Sequence, residues 1–140
     1  MNFKKISILL FLCTCIDCLK LDYYVKTKLT NDQIFNSKNI NMIIGSKDNI
    51  IFNNNTSFDY NTYVKGIKIR SKMTLLKNDD IFKIYLDNYY MNNIITFKKN
   101  TYNILHINLI SSSKIGIPNY IQKKILDKKI NNIINIIHEL

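Results

Sequence analysis

The sequence of 140 residues predicts an α+β fold, in which an antiparallel β-sheet meander packs against a long C-terminal α-helix. Two observations predict it. Over residues 63–112, apolar and polar residues alternate between short polar turns, as is typical of consecutive hairpins. From residue 118 onward, apolar residues recur at helical spacing instead. Hydrophobic residues make up 46% of the chain, which is enough to build a core in a single domain.

Four strands are predicted in the meander. The first, "YVKGIKIRSKMTLL" at residues 63–76, carries an apolar face made of Tyr63, Ile67, Ile69, Met73 and Leu75. Its other face is mostly polar, which indicates a half-buried antiparallel strand. Three further strands are predicted at residues 81–90, 94–97 and 101–112, with turns at 77–80, 91–93 and 98–100.

The predicted helix follows Pro118, a residue that suits the first turn of a helix because its missing N–H is not needed there. Large aliphatic residues then recur at helical spacing, namely Ile121, Ile125, Leu126, Ile130, Ile133, Ile134, Ile137 and Leu140. Such a stripe has to be buried, and the sheet is the apolar surface available to cover it.

Residues 1–18 have the layout of a secretory signal peptide. Lys4 and Lys5 precede the apolar run at residues 6–13, and small residues including Cys18 follow. We therefore expect a secretory-route protein, secreted or vacuolar. Cleavage near Cys18 would remove every cysteine of the chain. A retained membrane anchor is the alternative interpretation of this segment.

Residues 19–57 are predicted to supply a strand at 21–29 and a short helical segment at 30–44, closed by Gly45. With residues 58–140 they would form one domain. A second interpretation is that this Lys- and Asn-rich tract resembles the two-part plastid-targeting leaders of apicomplexan parasites, which implies import into the apicoplast. Asp22, Asp32 and Asp48 count against it, because transit peptides avoid acidic residues.

Several functional classes are not favoured by the residues present. The net charge of +10 comes almost entirely from Lys, with Arg70 as the single Arg, whereas nucleic-acid readers favour Arg. His106 and His138 lack neighbours at metal-ligand spacing, and Asp80 belongs to a turn. We therefore predict no catalytic residues, no metal, no cofactor and no enzymatic activity. Glycosylation sequons begin at Asn54 and Asn55, but chance matches are expected in so Asn-rich a chain.

The order of elements resembles the helix-grip fold of the START-like superfamily, which includes START lipid-transfer domains, coenzyme Q-binding proteins and polyketide cyclases. The stretch "NLISSSKIGIPNYIQKKILDKKINNIINII" is similar to their final strand and closing helix. The resemblance covers residues 101–140 in shape and residues 22–100 only in the order of elements.

The resemblance implies a curved sheet that grips the helix around an elongated apolar cavity. A lipid, sterol or quinone would bind there without chemistry. Its walls would include Ile67, Ile69, Met73, Ile84, Tyr85, Ile121, Ile125 and Ile133. A Lys-rich outer surface would suit an anionic membrane. Two alternatives stay open: a secreted domain with a solid core that binds a protein partner, and a plastid-targeted basic protein.

Overall fold

A computed structural model describes residues 18–45, 52, 55–78 and 80–140 of the chain. They form one antiparallel sheet with helices on it, so the predicted α+β class is confirmed. The strands are β1 (Cys18–Lys26), β2 (Asn55–Val64), β3 (Ile67–Asn78), β4 (Ile81–Asn88), β5 (Met91–Lys99) and β6 (Ile104–Ser113). The helices are α1 (Asn31–Ile34), α2 (Ser37–Ile44) and α3 (Asn119–Glu139).

The sheet has six strands in the order β1-β6-β5-β4-β3-β2. Strands β3 to β6 correspond to the four strands of the predicted meander, β2 extends it at one edge, and β1 adds to its far edge beside β6. The two strands pair antiparallel from Cys18 opposite Ser112 to Lys26 opposite Ile104. Cys18 thus belongs to β1. The signal peptide predicted for residues 1–18 lies otherwise outside the described residues, and sequencing the N-terminus of the protein from its source would test it.

One predicted strand is wrong in its extent, because residues 63–76 contain a hairpin turn. Strand β2 ends at Val64 and β3 begins at Ile67. Lys65 and Gly66 between them have φ angles of +50° and +80°. Positive φ at both central residues is the geometry of a type I′ turn, which matches the twist of the flanking strands. A two-residue turn leaves the alternation of apolar and polar residues in phase. The pattern over residues 63–76 therefore looks like one continuous strand, and the boundary between β2 and β3 was not predicted.

The turn predicted at residues 91–93 is also wrong, since β5 already begins at Met91. The turn lies at Tyr89 and Tyr90 instead. Asn88 defines it, because its Oδ1 accepts the N–H groups of Tyr90 and Met91 at 2.8 and 2.9 Å. An Asn side chain that accepts from the backbone two and three residues onward is a common way to build a turn.

The predicted helical segment at residues 30–44 is present but interrupted. Thr30 caps α1 through a capping box with Gln33, and Asn36 caps α2. Gly45 ends α2 in the left-handed conformation at φ +68°. The break leaves Phe35 free to turn into the core, where it is fully buried. Residues 18–44 are therefore packed parts of this domain, and removing residues 19–56 as a leader would take them away.

Helix α3 covers the sheet, as predicted, but the set of residues that it buries differs from the predicted set. Its buried residues are Gln122, Leu126, Ile130, Ile133 and Ile137. Ile121, Ile125 and Leu140, which were predicted to be buried, are 38%, 54% and 41% exposed. Steps of four, four, three and four residues keep one face of a helix aligned, and this series reaches Gln122 rather than Ile121. Among the described helices, none is long and apolar enough to span a bilayer.

Candidate functional site

The interior between the sheet and the helices has an aromatic end and a polar end. At the aromatic end, beneath α1 and α2, Phe35 stacks on Phe82 with ring centroids 4.2 Å apart, and Phe52 and Phe97 complete the cluster. At the polar end, beneath the start of α3, three polar residues are at least 95% buried: Asn93, Ser111 and Gln122. Most buried residues of this protein are aliphatic or aromatic, so this clustering is a distinct feature.

The sheet register brings Asn93 and Ser111 together. They are directly opposite each other on β5 and β6, on the face that α3 covers. Gln122 lies in the first turn of α3, and its side chain points toward them. Its Nε2 donates to Ser111 Oγ at 2.6 Å, and Ser111 Oγ donates to Asn93 Oδ1 at 2.5 Å. Asn93 Nδ2 in turn contacts Met91 Sδ at 3.4 Å, a weak acceptor.

The Gln122 amide is oriented with Nε2 toward Ser111. Ser111 has one hydroxyl hydrogen, which it donates to Asn93, so Ser111 Oγ accepts from Gln122. The remaining atom, Gln122 Oε1, is buried and has no hydrogen-bond partner among the residues that the structure describes.

An unpartnered buried acceptor costs about 1–3 kcal/mol, because it has lost its hydration and gained nothing in return. Such groups are rare in folded proteins, and each needs an explanation. Gln122 Oε1 is the acceptor that a ligand O–H or N–H would satisfy. The polar end of the interior is therefore the candidate functional site.

Ser71, on β3, is a further buried polar residue of the sheet. Its hydroxyl accepts from Asn88 Nδ2 at 3.3 Å. It also lines an open cleft of about 490 Å³, together with Asp59, Asn61, Lys68, Arg70 and Lys72.

A second open cleft, of about 700 Å³, lies at the other end of the sheet. It is lined by Thr30, Asn31, Asp32, Asp80, Lys98, Lys99, Asn100, Thr101 and Asn103. Asn31 Nδ2 donates to the Asp80 carbonyl at 2.7 Å, and Lys99 Nζ donates to the Leu29 carbonyl. Asn31 Oδ1 is the other buried acceptor without a partner among the described residues. These contacts join α1 to the neighbouring turns.

His106 forms a cross-strand cluster on the outer face of the sheet. Its Nε2 lies 2.8 Å from Asp22 Oδ1, and Asn108 Nδ2 donates to the same oxygen at 2.9 Å. The hydrogen bond from Asn108, and then that from His106, hold the pKa of Asp22 below its usual value. The Tyr24 ring stacks on His106 at 4.8 Å. These contacts join β1 to β6 across their paired register. No group of three metal-ligating side chains is found in the part of the chain that the structure describes.

Two ionisable groups flank the buried stripe of α3. The Tyr23 hydroxyl donates to Asp127 Oδ1, which fastens α3 to β1. Burial, followed by the hydrogen bond to Asp127, raises the pKa of Tyr23. On the other side, burial lowers the pKa of Lys129. Lys129 lies seven residues after Gln122, on the same side of the helix, and has no hydrogen bond or ion pair with any described residue.

The eight predicted wall residues are not brought together. Met73, Ile84 and Ile133 are buried between the sheet and α3, and Ile69 is half-buried. Ile67, Ile121 and Ile125 are exposed, so their predicted place in an interior wall is wrong. Tyr85 points to the opposite face of β4 from Ile84, because successive residues of a strand alternate. That Met73, Ile84 and Ile133 contact a ligand stays a prediction.

The sequence contained a signal for the polar cluster that the apolar pattern masked. Counting back four residues from Leu126 along the buried series gives Gln122. In β6, the buried series Leu105, Ile107 and Leu109 continues at alternate positions to Ser111. A polar residue that falls on an extrapolated core position is the pattern that would have located this site.

Three solved structures share the fold at very low sequence identity. An uncharacterized protein from Rhizobium leguminosarum is 7% identical with a TM-score of 0.58, covering 88% of this chain and 96% of its own. A hypothetical protein from Sulfolobus tokodaii is 12% identical with a TM-score of 0.52, covering 82% and 88%. A protein from Thermus thermophilus is 9% identical with a TM-score of 0.50, covering 87% and 94%. At these identities the likeness shows the fold alone.

No model of a known protein family matches the chain. No curated protein matches it either.

Proposed function

We propose that this protein binds or carries, without chemistry, a hydrophobic small molecule that ends in a single polar group. The molecule would lie between the sheet and α3, as in a helix-grip protein. The observation that carries the proposal is Gln122 Oε1, a fully buried acceptor with no partner in the described part of the chain, in an interior that is otherwise largely apolar.

The arrangement of elements supports the helix-grip interpretation. Strand β1 pairs with β6, so the first and last strands of the sheet are neighbours and α3 returns over them. The residues that face α3 from β3 to β6 are largely aliphatic. They include Leu75, Ile84, Ile95, Ile107 and Leu109. The apolar part of a ligand would pack against these side chains in the same way as they pack against one another.

The chemistry of the polar end narrows the ligand class. Oε1 can only accept a hydrogen bond, so it is satisfied by a hydroxyl or an amide N–H and not by a carbonyl. Among lipids, sterols and quinones, an alcohol of the sterol or fatty-alcohol type fits this requirement. An oxidised quinone offers only carbonyl acceptors and would leave Oε1 unpaired.

A matched pair of probes tests the proposal. The full-length protein would be incubated with 1-hexadecanol or with its methyl ether, which has a similar apolar body but no donor, and analysed by native mass spectrometry. We expect the alcohol to bind at least tenfold more tightly, since a site that hydrogen-bonds a ligand O–H rejects an analogue that leaves its polar group unpaired. Gln122→Leu should abolish this preference, and Lys123→Gln, an exposed neighbour on α3, should preserve it.

The outcomes distinguish a wrong role for Gln122 from a wrong proposed function. Equal binding of both probes would leave a hydrophobic site but remove Gln122 from ligand recognition. Binding of neither probe, together with no extractable hydrophobic molecule in protein purified from its own source, would overturn the function. That result would favour the alternative of a protein-interaction domain with a solid core.

A further inference from the structure

Helix α3 carries exposed apolar residues on the side that faces away from the sheet. Tyr120, Ile121 and Ile125 are 76%, 38% and 54% exposed. Lys124 and Lys128 lie between them and are also exposed. We call these five residues the α3 outer face. At 3.6 residues per turn, they occupy a continuous sector of roughly 140° of the helix.

The apolar surface continues beyond the helix. Ile115, in the linker before α3, is 49% exposed, and Tyr89, in the turn between β4 and β5, is 77% exposed. Lys114 joins these two segments: its N–H donates to the Tyr90 carbonyl at 2.8 Å, and its Nζ lies 2.7 Å from Asp87 Oδ1. Linker, turn and helix start therefore meet at one end of the domain and expose apolar side chains there.

The same surface is positively charged. Residues 114–126 contain three lysines and no acidic residue. Asp127 accepts from Tyr23, and Asp87 pairs with Lys114, so neither carboxylate pairs with Lys124 or Lys128. Lys124 and Lys128 form no ion pair with the described residues. Exposed isoleucines and a tyrosine among unpaired lysines are the chemistry that recognises an anionic lipid surface.

A second copy of the chain fits this surface less well. A symmetric dimer would place the same patch on both subunits. Lys124 and Lys128 of one copy would then face those of the other, and like charges at an interface are strongly unfavourable. A bilayer containing anionic lipids satisfies the lysines and the isoleucines at the same time.

We propose that the α3 outer face docks the domain onto the surface of an anionic lipid bilayer. The helix would lie in the plane of the interface, with Tyr120, Ile121 and Ile125 at the boundary between headgroups and acyl chains. This inference is independent of the ligand site, because it uses the opposite side of α3 from Gln122.

The absence of tryptophan from the sequence permits a position-specific test. Tyr120→Trp places a single indole on the α3 outer face. Tyr102→Trp places one at the turn between β5 and β6, at the other end of the sheet, and Tyr102 is similarly exposed at 80%. Both full-length variants would be mixed with phosphatidylcholine vesicles with and without 30% phosphatidylserine, carrying brominated acyl chains that quench indole fluorescence.

We expect quenching and a blue shift at position 120 with the anionic vesicles, and neither at position 102. Reading fluorescence at a position separates this contact from any binding by the apolar run at residues 6–13. Equal quenching at both positions, or quenching at neither, would overturn the proposal. A blue shift at position 120 without vesicles that grows with protein concentration would also overturn it, in favour of self-association.

A charge-matched pair of variants tests the role of the lysines. In the Tyr120→Trp background, Lys124→Gln with Lys128→Gln should weaken binding to anionic vesicles at least tenfold, because each lysine near such a surface strengthens binding roughly fivefold. Lys68→Gln with Lys72→Gln changes the net charge equally, but on the outer face of the sheet. An equal loss in this control would show that net charge, and not the α3 outer face, causes the binding, which would contradict the proposal.

Discussion

Gln122 on α3 donates its amide N–H to the hydroxyl of Ser111 on β6 at 2.6 Å, while its own Oε1 is buried and meets no partner from residues 18–45, 52, 55–78 or 80–140. The hydrogen bond fixes where the first turn of α3 lies on the sheet. The unpaired oxygen makes the same residue costly for stability. A residue that positions a helix and yet leaves a buried acceptor unsatisfied is expected where a site serves binding as well as folding.

The first prediction concerns the cost of this residue to stability. Replacing Gln122 by Leu removes the unpaired oxygen and keeps a similar side-chain volume. The free energy of unfolding, measured by urea denaturation, should stay within about 1 kcal/mol of the wild type or rise. Gln122→Ala, which adds a cavity, should lower it by about 2 kcal/mol. A loss of more than 2 kcal/mol in the Leu variant would mean that the hydrogen bond to Ser111 outweighs the unpaired acceptor.

The second prediction concerns the link between Tyr23 and Asp127. Tyr23→Phe removes the hydrogen bond that fastens α3 to β1, and we expect a loss of about 1.5–3 kcal/mol at pH 7, as for a hydrogen bond to a charged group. Asn108→Ala, in the outer cluster, is a control that weakens a different contact of β1 and leaves this one intact.

The same pair predicts a pH dependence at alkaline pH. The pKa of Tyr23 is raised in the folded protein, so between the usual tyrosine value of about 10 and the folded value the unfolded chain binds fewer protons. Stability from this group is thus complete below pH 10 and is lost as the pH rises above it. The stability of Tyr23→Phe should fall less steeply than that of the wild type over this range. Parallel curves for the two proteins would contradict the assignment.

The third prediction concerns the aromatic end of the interior. Phe35 is fully buried and contacts the rings of Phe82 and Phe97 at 4.2 and 4.7 Å. Phe35→Ala should lower the free energy of unfolding by about 3–5 kcal/mol. Tyr102→Ala, at an exposed turn, should change it by less than about 0.5 kcal/mol. A small effect at Phe35 would show that α1 and α2 are not firmly packed on the sheet.

The fourth prediction concerns the turn at Lys65 and Gly66. A Cβ at Gly66 would meet no atom within 4 Å, so Gly66→Ala tests the left-handed backbone alone, and we expect a loss of about 1–2 kcal/mol. Lys65→Asn should instead raise stability by about 0.5–1 kcal/mol, because Asn tolerates the left-handed conformation better than Lys. Thermal unfolding would measure both variants. A neutral Gly66→Ala would contradict the type I′ turn.

The fifth prediction concerns Lys129. Burial lowers its pKa, so the charged form penalises the folded state at neutral pH, and this penalty fades as the pH rises toward the usual lysine value. Lys129→Met should raise the free energy of unfolding at pH 7 by about 1 kcal/mol. Lys123→Met, at an exposed position, should leave it unchanged. If both substitutions changed the free energy of unfolding equally, burial of Lys129 could not be the cause of the change.

The sequence could predict the parts of the fold that depend on local patterns. The periodicity after Pro118 gives α3, and Thr30 marks the start of the first helical segment. Alternation gives most of the meander, although the Lys65–Gly66 turn was hidden because a two-residue turn does not disturb it. None of these features requires knowledge of which elements meet in space.

The candidate site could not be predicted in this way. A spacing of three and four residues shows that α3 has a buried face, but many isoleucines lie around the helix and allow several rotations. Packing against the sheet selects one rotation, which turns Gln122 inward and leaves Ile121 and Ile125 outside. Four of the predicted wall residues, Ile67 and Tyr85 among them, lie outside the interior, because an apolar residue can be exposed at little cost.

The sequence by itself determined the α+β class, the meander and the length of α3, because these follow from interactions between residues close along the chain. The tertiary structure alone decided that β1 pairs with β6 and that Asn93, Ser111 and Gln122 meet beneath α3. The physical reason is that hydrogen-bond pairing between distant strands and the rotation of a helix on a sheet depend on complementarity across the whole core, which no local window of sequence contains.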